Sequence, residues 1–195
     1  MSFLNRRHGW ILAVSDIASG STHKELYRTK DGGETWAAVM DALPDHIDPM
    51  GMIFRSASVG WLAAGYHGSD EMPFYRTDDA GRHWRLQEIE IPPPFQDGYG
   101  IAYPPSFFGA GRRDGLLPVR FVTHTPEGEN IAFYRTGDGG STWHLRRWLP
   151  KSAGVDAISF LTPTLGWTLK NKDSQYPTLQ RTADGGRHWQ TVYPR

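Results

Sequence analysis

The sequence predicts an all-β fold made of four repeated units, each of four short strands. Three observations predict it. First, an octapeptide that opens on Thr, carries Asp two residues on and Gly two further, and closes on Trp recurs at 29–36, 77–84, 136–143 and 182–189. Second, three of the copies are preceded by a Phe, a short gap, Gly-Trp and an apolar run: Phe3 with Gly9-Trp10, Phe54 with Gly60-Trp61, and Phe160 with Gly166-Trp167. The third unit departs from this, with Phe107-Phe108 followed by Gly115-Leu116-Leu117-Pro118-Val119. Third, 22 Gly, 14 Pro and 13% aromatic residues accompany only 38% hydrophobic residues, a composition suited to many short strands and tight turns. No stretch has the period of a helix.

Taken in order, the first unit spans about 3–44, with strands near 3–5, 9–15, 25–29 and 35–40. A polar loop at 15–22 separates its second and third strands, and an acidic, Pro-bounded linker follows at 41–49. The second unit spans about 51–92, with strands near 51–55, 60–66, 73–77 and 83–91 and a middle loop at 67–72. The stretch 92–105 holds five Pro and lengthens one repeat: the closing Trp residues are spaced by 48, 59 and 46 residues. Pro donates nothing to a sheet ladder, so this stretch is expected to be a loop insertion. The third unit spans about 106–149 with a loop at 124–130, and the fourth about 155–193 with a loop at 171–177. The chain of 195 residues is then a single domain. The period and the four strands per unit match the blades of a β-propeller, for which four to eight blades is usual.

The octapeptide reads as a hairpin turn. Tyr27-Arg28-Thr29 and its equivalents suit a strand, and so does His83-Trp84-Arg85-Leu86 after the second copy. Gly-Gly reaches positive φ without penalty, and Asp bonds the backbone a few residues on. Asp31, Asp79, Asp138 and Asp184 are therefore expected to accept backbone N–H bonds within their own turns. Trp36, Trp84, Trp143 and Trp189 are expected to fold back over the hairpins and bury their rings. Arg precedes every opening Thr, at Arg28, Arg76, Arg135 and Arg181, and is expected to pair with acidic groups between neighbouring blades; a basic ring is the other reading.

These octapeptides resemble Asp-boxes, the repeats of the bacterial neuraminidase (BNR) family, with the pattern Ser/Thr-x-Asp-x-Gly-x-Thr-Trp. The second copy puts Ala80 before its Gly, and the second and fourth carry His83 and His188 where the pattern has Thr. The longer unit is most similar to the photosystem II stability/assembly-factor-like branch, which is sialidase-related and non-catalytic. The resemblance implies a propeller of four four-stranded blades, each box joining its third and fourth strands, and it implies binding of polypeptide partners.

In such blades the first and third turns share one end and the longer connections share the other. The candidate ligand contacts are placed at that second end: Phe95, Tyr99 and Tyr103 in the insertion, and His67 and His124 in the middle loops. Packing of the three aromatic residues over the rim competes with that role. No catalytic set is complete. A sialidase's aromatic-Arg-Ile/Leu-Pro signature is absent, and nothing in the sequence pairs Asp70, Glu71, Glu127 or Glu129 as a glycosidase would need. The expected function is a non-catalytic binding or assembly module for a protein or glycan, met on the face opposite the boxes. The alternative is a glycoside hydrolase or lectin of the sialidase-like superfamily.

Lys+Arg and Asp+Glu both number 21, so no global field points to nucleic acid. No apolar run approaches the roughly 20 residues of a membrane-spanning helix. There is no Cys, and the eight His show no metal-ligand spacing, so neither a metal nor a cofactor is expected. No signal peptide is evident, which points to the cytoplasm unless a leader has been removed. The blades are expected to close as a monomer or to form part of a larger ring, such as a homodimer.

Overall fold

The structure, a computed structural model, describes residues 1–18, 21–40, 47–66, 72–123, 128–150, 154–171 and 177–193. The fold is all-β, with four antiparallel sheets in chain order, each built on the four-stranded meander of a propeller blade and one of them carrying a fifth strand. Its contacts divide it into two units, Met1–Glu88 with two sheets and Ile89–Arg195 with two.

In the first unit, sheet 1 runs β1 (Ser2–Phe3), β2 (Gly9–Ala18), β3 (Ser21–Thr29), β4 (Ala37–Met40). Sheet 2 runs β5 (Ile47–Phe54), β6 (Gly60–Tyr66), β7 (Phe74–Thr77), β8 (Arg85–Leu86). In the second unit, β9 (Tyr99–Ala102) and β10 (Ser106–Phe108) both pair with β11 (Asp114–Val122), which is followed by β12 (Glu129–Thr136) and β13 (His144–Leu149) to complete sheet 3. Sheet 4 runs β14 (Val155–Phe160), β15 (Gly166–Lys170), β16 (Thr178–Thr182), β17 (Gln190–Tyr193).

Several boundaries differ from expectation. Strands β2 and β3 run through most of 15–22, read as a polar loop, because their ladder continues past Ser15↔His23 to Ala18↔Ser21. Strand β5 starts at Ile47, inside the expected linker. Strand β8 is far shorter than 83–91, although the Gln87 N–H still reaches the Phe74 carbonyl at 2.7 Å.

The insertion 92–105 is more than a loop. Pro93–Phe95 forms a 3-10 turn, and the Pro-free segment that follows pairs as β9 along the same edge of β11 as β10. Tyr103-Pro104-Pro105 interrupts this otherwise single strand. Opposite the interruption, Pro118 offers its carbonyl to the Tyr103 N–H at 3.0 Å, and its own missing N–H costs nothing where the ladder is already broken.

The Phe…Gly-Trp motif now has a physical meaning. Phe3 lies directly opposite Gly9, Phe54 opposite Gly60, Phe107 opposite Gly115 and Phe160 opposite Gly166. In each pair the ring covers the Gly so closely that a Cβ would sit 2.6–2.9 Å from ring carbons. The third unit therefore keeps the motif, with two extra residues in its first turn. The next residue, Trp or Leu, faces the Arg of the third strand: Trp10↔Arg28, Trp61↔Arg76, Leu116↔Arg135, Trp167↔Arg181.

Each unit has its own core. In the first, Trp10 stacks on Phe54 with centroids 3.7 Å apart and planes at 6°, among Leu26, Met52, Leu62, Ala64 and Ala80. In the second, Leu116, Ile131 and Phe133 pack with Val155, Ile158 and Phe160 around Tyr103.

Candidate functional site

The boxes set the local geometry of each sheet. In all four copies the opening Thr is buried. Its hydroxyl donates to the Asp and accepts the N–H of the second Gly, at 2.7 and 2.9 Å for Thr29 with Asp31 and Gly33. The Asp then accepts from the residue before Trp, twice: Thr142 N–H at 3.0 Å and Thr142 Oγ1 at 2.7 Å for Asp138. Where the pattern has Thr but this chain has His, the ring does the same work. His83 Nδ1 lies 2.6 Å from Asp79, and His188 Nδ1 2.6 Å from Asp184. The residue before the second Gly donates its N–H to the first turn of its own sheet: Gly32 to Arg7, Ala80 to Ser58, Gly139 to Arg113, Gly185 to Thr164. Box and first turn thus share one end of each sheet.

Each closing Trp packs against the Phe of its own sheet's first strand, Trp36 on Phe3 at 6.1 Å and Trp189 on Phe160 at 6.1 Å, both edge to face. Trp84 meets Phe54 edge to face at 6.1 Å, and Trp143 meets Phe107 at 5.9 Å with the rings tilted at 53°.

All four Asp carboxyls are held below their ordinary range. Thr35, through its hydroxyl and then its N–H, is the main cause for Asp31, and the His188 N–H for Asp184. Burial pushes Asp79 and Asp138 upward, but the N–H of His83 and of Thr142 and the flanking side-chain bonds outweigh it, leaving Asp79 at about 2. Depressed folded values mean that this stabilisation is complete above the unfolded carboxylate value of about 4 and is lost as pH falls through the folded ones. The urea midpoint should therefore drop between about pH 4 and pH 2. Asp138→Ala should lower it at neutral pH and flatten that acid slope. An unchanged slope in the variant would contradict the assignment of these bonds.

Three of the recurrent Arg residues, Arg28, Arg76 and Arg135, make contacts within their own sheets, where pairing between blades was expected. Arg28 lies 5.1 Å over Trp10 and Arg76 5.6 Å over Trp61. Arg76 also bonds Asp78 at 2.8 Å, and Arg135 reaches Asp114 at 3.4 Å. Cross-strand register places Arg28 beside Trp10 and Arg76 beside Trp61, so stacking is a stabilising contact close at hand, while in sheet 3 Arg135 stands beside Leu116.

Of the expected ligand contacts, Phe95 and Tyr103 are core residues. Phe95 stacks on Phe121 at 4.8 Å and meets Trp148 edge-on at 5.8 Å. Tyr103 donates to the Val155 carbonyl at 2.5 Å, and burial pushes its hydroxyl up to about 12. Large rings in this Pro-tethered segment pack onto the sheets beside it. Tyr99 is 36% exposed at the start of β9. His67 and His124 lie outside the described residues, as do Asp70, Glu71 and Glu127. Glu129 is engaged by the Gly154 N–H at 3.0 Å and by Arg120 at 3.5 Å. Among the described residues no group of His, Asp and Glu is arranged to hold a metal ion.

A cavity of about 300 Å³ lies in the first unit at the box end, lined by Arg28, Lys30, Thr35, Trp36, Ala37, Ala38, Val39, Ala80 and Arg82. Its lining has three cations and no carboxylate. Arg28 is held flat by Trp10, and its Nε is buried with no hydrogen-bond partner among the described residues. Trp10 is itself fixed by Phe54 and by donating to the Ala80 carbonyl at 3.1 Å. One wall is β4, the edge strand of sheet 1. The sequence signal for this site is the Arg before each box together with the variable box positions of Lys30 and Arg82. Which of those cations converge is set by how sheet 1 packs on sheet 2.

No family model matches the sequence, and no curated protein matches it. Among solved structures, the chain is similar to YCF48 bound to a D1 peptide, at 18% identity and TM-score 0.45, covering 98% of this chain and 80% of that one. It is also similar to a GH74 enzyme of Niastella koreensis, at 13% identity and TM-score 0.48, covering 92% of this chain and 28% of that one.

Proposed function

We propose that this protein is a non-catalytic Asp-box propeller module that binds an extended acidic segment of a polypeptide partner. The carboxylate-free groove of the first unit carries the reading, with Arg28, Lys30 and Arg82 around the free edge of β4. An edge strand accepts an extended peptide through its unpaired backbone groups, and side-chain pockets beside it supply selectivity. Here the selectivity is for negative charge. A buried guanidinium N–H without a partner gains a charge-assisted bond when a carboxylate arrives. The box carboxylates compete little, because each is taken up by bonds inside its own turn.

We assign the ligand to the box end because of this groove; the opposite end, where the sequence placed Phe95, Tyr99, Tyr103, His67 and His124, is the competing location. A labelled Glu/Asp-rich extended peptide should bind with an affinity that falls as salt rises. A Gln/Asn version of it should bind about tenfold or more weakly. Lys30→Glu and Arg82→Glu, both exposed, should abolish binding without changing the melt. If Tyr99→Ala abolishes it and the charge reversals do not, the ligand lies at the opposite end. Turnover of a chromogenic glycoside, the sialidase-like alternative, would reject the non-catalytic reading outright.

A further inference from the structure

Sheet 4 carries a face that sheets 1 and 3 bury. The register makes the positions equivalent. In sheet 1, Trp10 stands opposite Arg28 and Leu12 opposite Leu26. In sheet 3, Leu116 stands opposite Arg135 and Pro118 opposite Phe133. In sheet 4, Trp167 stands opposite Arg181, and Leu169 opposite Leu179 with Tyr193 beyond. Where another sheet follows within the unit this face is covered, so that Trp10 is 0% and Phe133 1% exposed. In sheet 4 the equivalent Trp167 and Leu179 are only half-buried, and beside them Leu169 is 40% exposed and Tyr193 67%.

The matching surface is on sheet 1. Within each unit, the Phe of the second sheet's first strand meets the preceding sheet: Phe54 stacks on Trp10, and Phe160 packs edge-on against Phe133 at 5.9 Å. Phe3 is the same residue in the pattern, yet it is 44% exposed. Ile11 and Ala13 correspond to Leu62 and Ala64, which are buried in the core against sheet 1. Both Ile11 and Ala13 retain exposure.

A hydrogen bond repeats with the same logic. Ser2 Oγ accepts the N–H of Phe54 at 3.0 Å, and Ser106 Oγ accepts that of Phe160 at 3.2 Å. Ser159 occupies the equivalent position in sheet 4, and it is exposed. Trp167, Ser159 and Leu169 therefore call for one partner: a first strand with a Phe ring, its N–H, and small apolar residues behind it.

We propose that two copies of this chain associate by seating sheet 4 of each on sheet 1 of the other, with Phe3 packed on Trp167 and its N–H on Ser159. A two-fold axis makes the two contacts identical and leaves neither face over. The pair brings together eight sheets, at the top of the usual propeller range. This rests on apolar faces and does not depend on what the cationic groove binds.

Light scattering on the full chain tests it. The expected mass is twice 22.0 kDa. Leu169→Arg, and separately Phe3→Asp, should return it to 22.0 kDa and weaken association by about tenfold or more, because a charge in an apolar contact must be desolvated. Leu169 is exposed, so circular dichroism and the melt of the dilute Leu169→Arg protein should stay unchanged, whereas Phe3→Asp also removes the ring from Gly9 and Trp36 and should lower the melt. A wild-type mass of 22.0 kDa overturns the proposal, whether the faces are covered by the chain's own sheets or by another protein. A dimer that both substitutions leave intact overturns it too, since association would then use another surface.

Discussion

Trp10→Ala should destabilise the protein by about 4 kcal/mol, the range for emptying a buried Trp site. The ring is fully buried and touches three separate supports. Phe54 stacks on it at 3.7 Å, Arg28 lies over it at 5.1 Å, and the Ala80 carbonyl takes its N–H at 3.1 Å. Truncation removes the apolar burial and leaves the Ala80 carbonyl without its donor, about 1 kcal/mol by itself. It also frees Arg28, so the groove should lose peptide affinity even where the protein is still folded. Trp10→Phe should recover the greater part of the stability, because a ring can still stack on Phe54, but not the hydrogen bond. Urea unfolding of the three proteins checks the order. A loss below about 1 kcal/mol for Ala would mean that the two sheets of the first unit do not pack through this ring.

Gly81→Ala should cost about 3 kcal/mol, from two sources. The backbone sits at φ +96°, where an L side chain is strained. A Cβ there would lie 2.4 Å from Leu26 Cδ2, a buried atom of the neighbouring sheet with little room to retreat. Gly137 is the contrast within the same motif. It lacks positive φ, a methyl group added to it would meet nothing within 4 Å, and it stands where the other boxes have Lys30, Asp78 and Ala183. Gly137→Ala should be neutral or stabilising by a few tenths of a kcal/mol, through the unfolded chain. Comparable losses at both positions would show that the boxes tolerate no side chain at all, and would contradict the packing of Gly81 on Leu26.

What could be read directly from the sequence was local. Thr29, Asp31, Gly33 and Thr35 satisfy one another within a few residues, so the turn is written in consecutive letters and repeats wherever they do. His83 and His188 look like departures from the pattern in the sequence, yet Nδ1 replaces a hydroxyl at the same reach. The same locality explains Phe107, whose pairing with Gly115 survives two extra turn residues.

The sequence by itself determined four sheets, their box turns and the order of the four strands that each repeat supplies, though not the added β9, because hairpin pairing and turn hydrogen bonds join neighbours in the chain. Tertiary structure alone decided which faces met. The stack of Trp10 on Phe54 spans 44 residues, and the bond from Tyr103 to Val155 spans 52. Nothing local distinguishes Tyr103, which is buried, from Tyr99, which remains partly exposed: the chain must first fold onto β11 before one ring is covered. Arg28 and Arg82 share a groove for the same reason. Each is placed by its own sheet, and their meeting depends on apolar contacts between sheets, which are non-directional and leave no fixed spacing in the sequence.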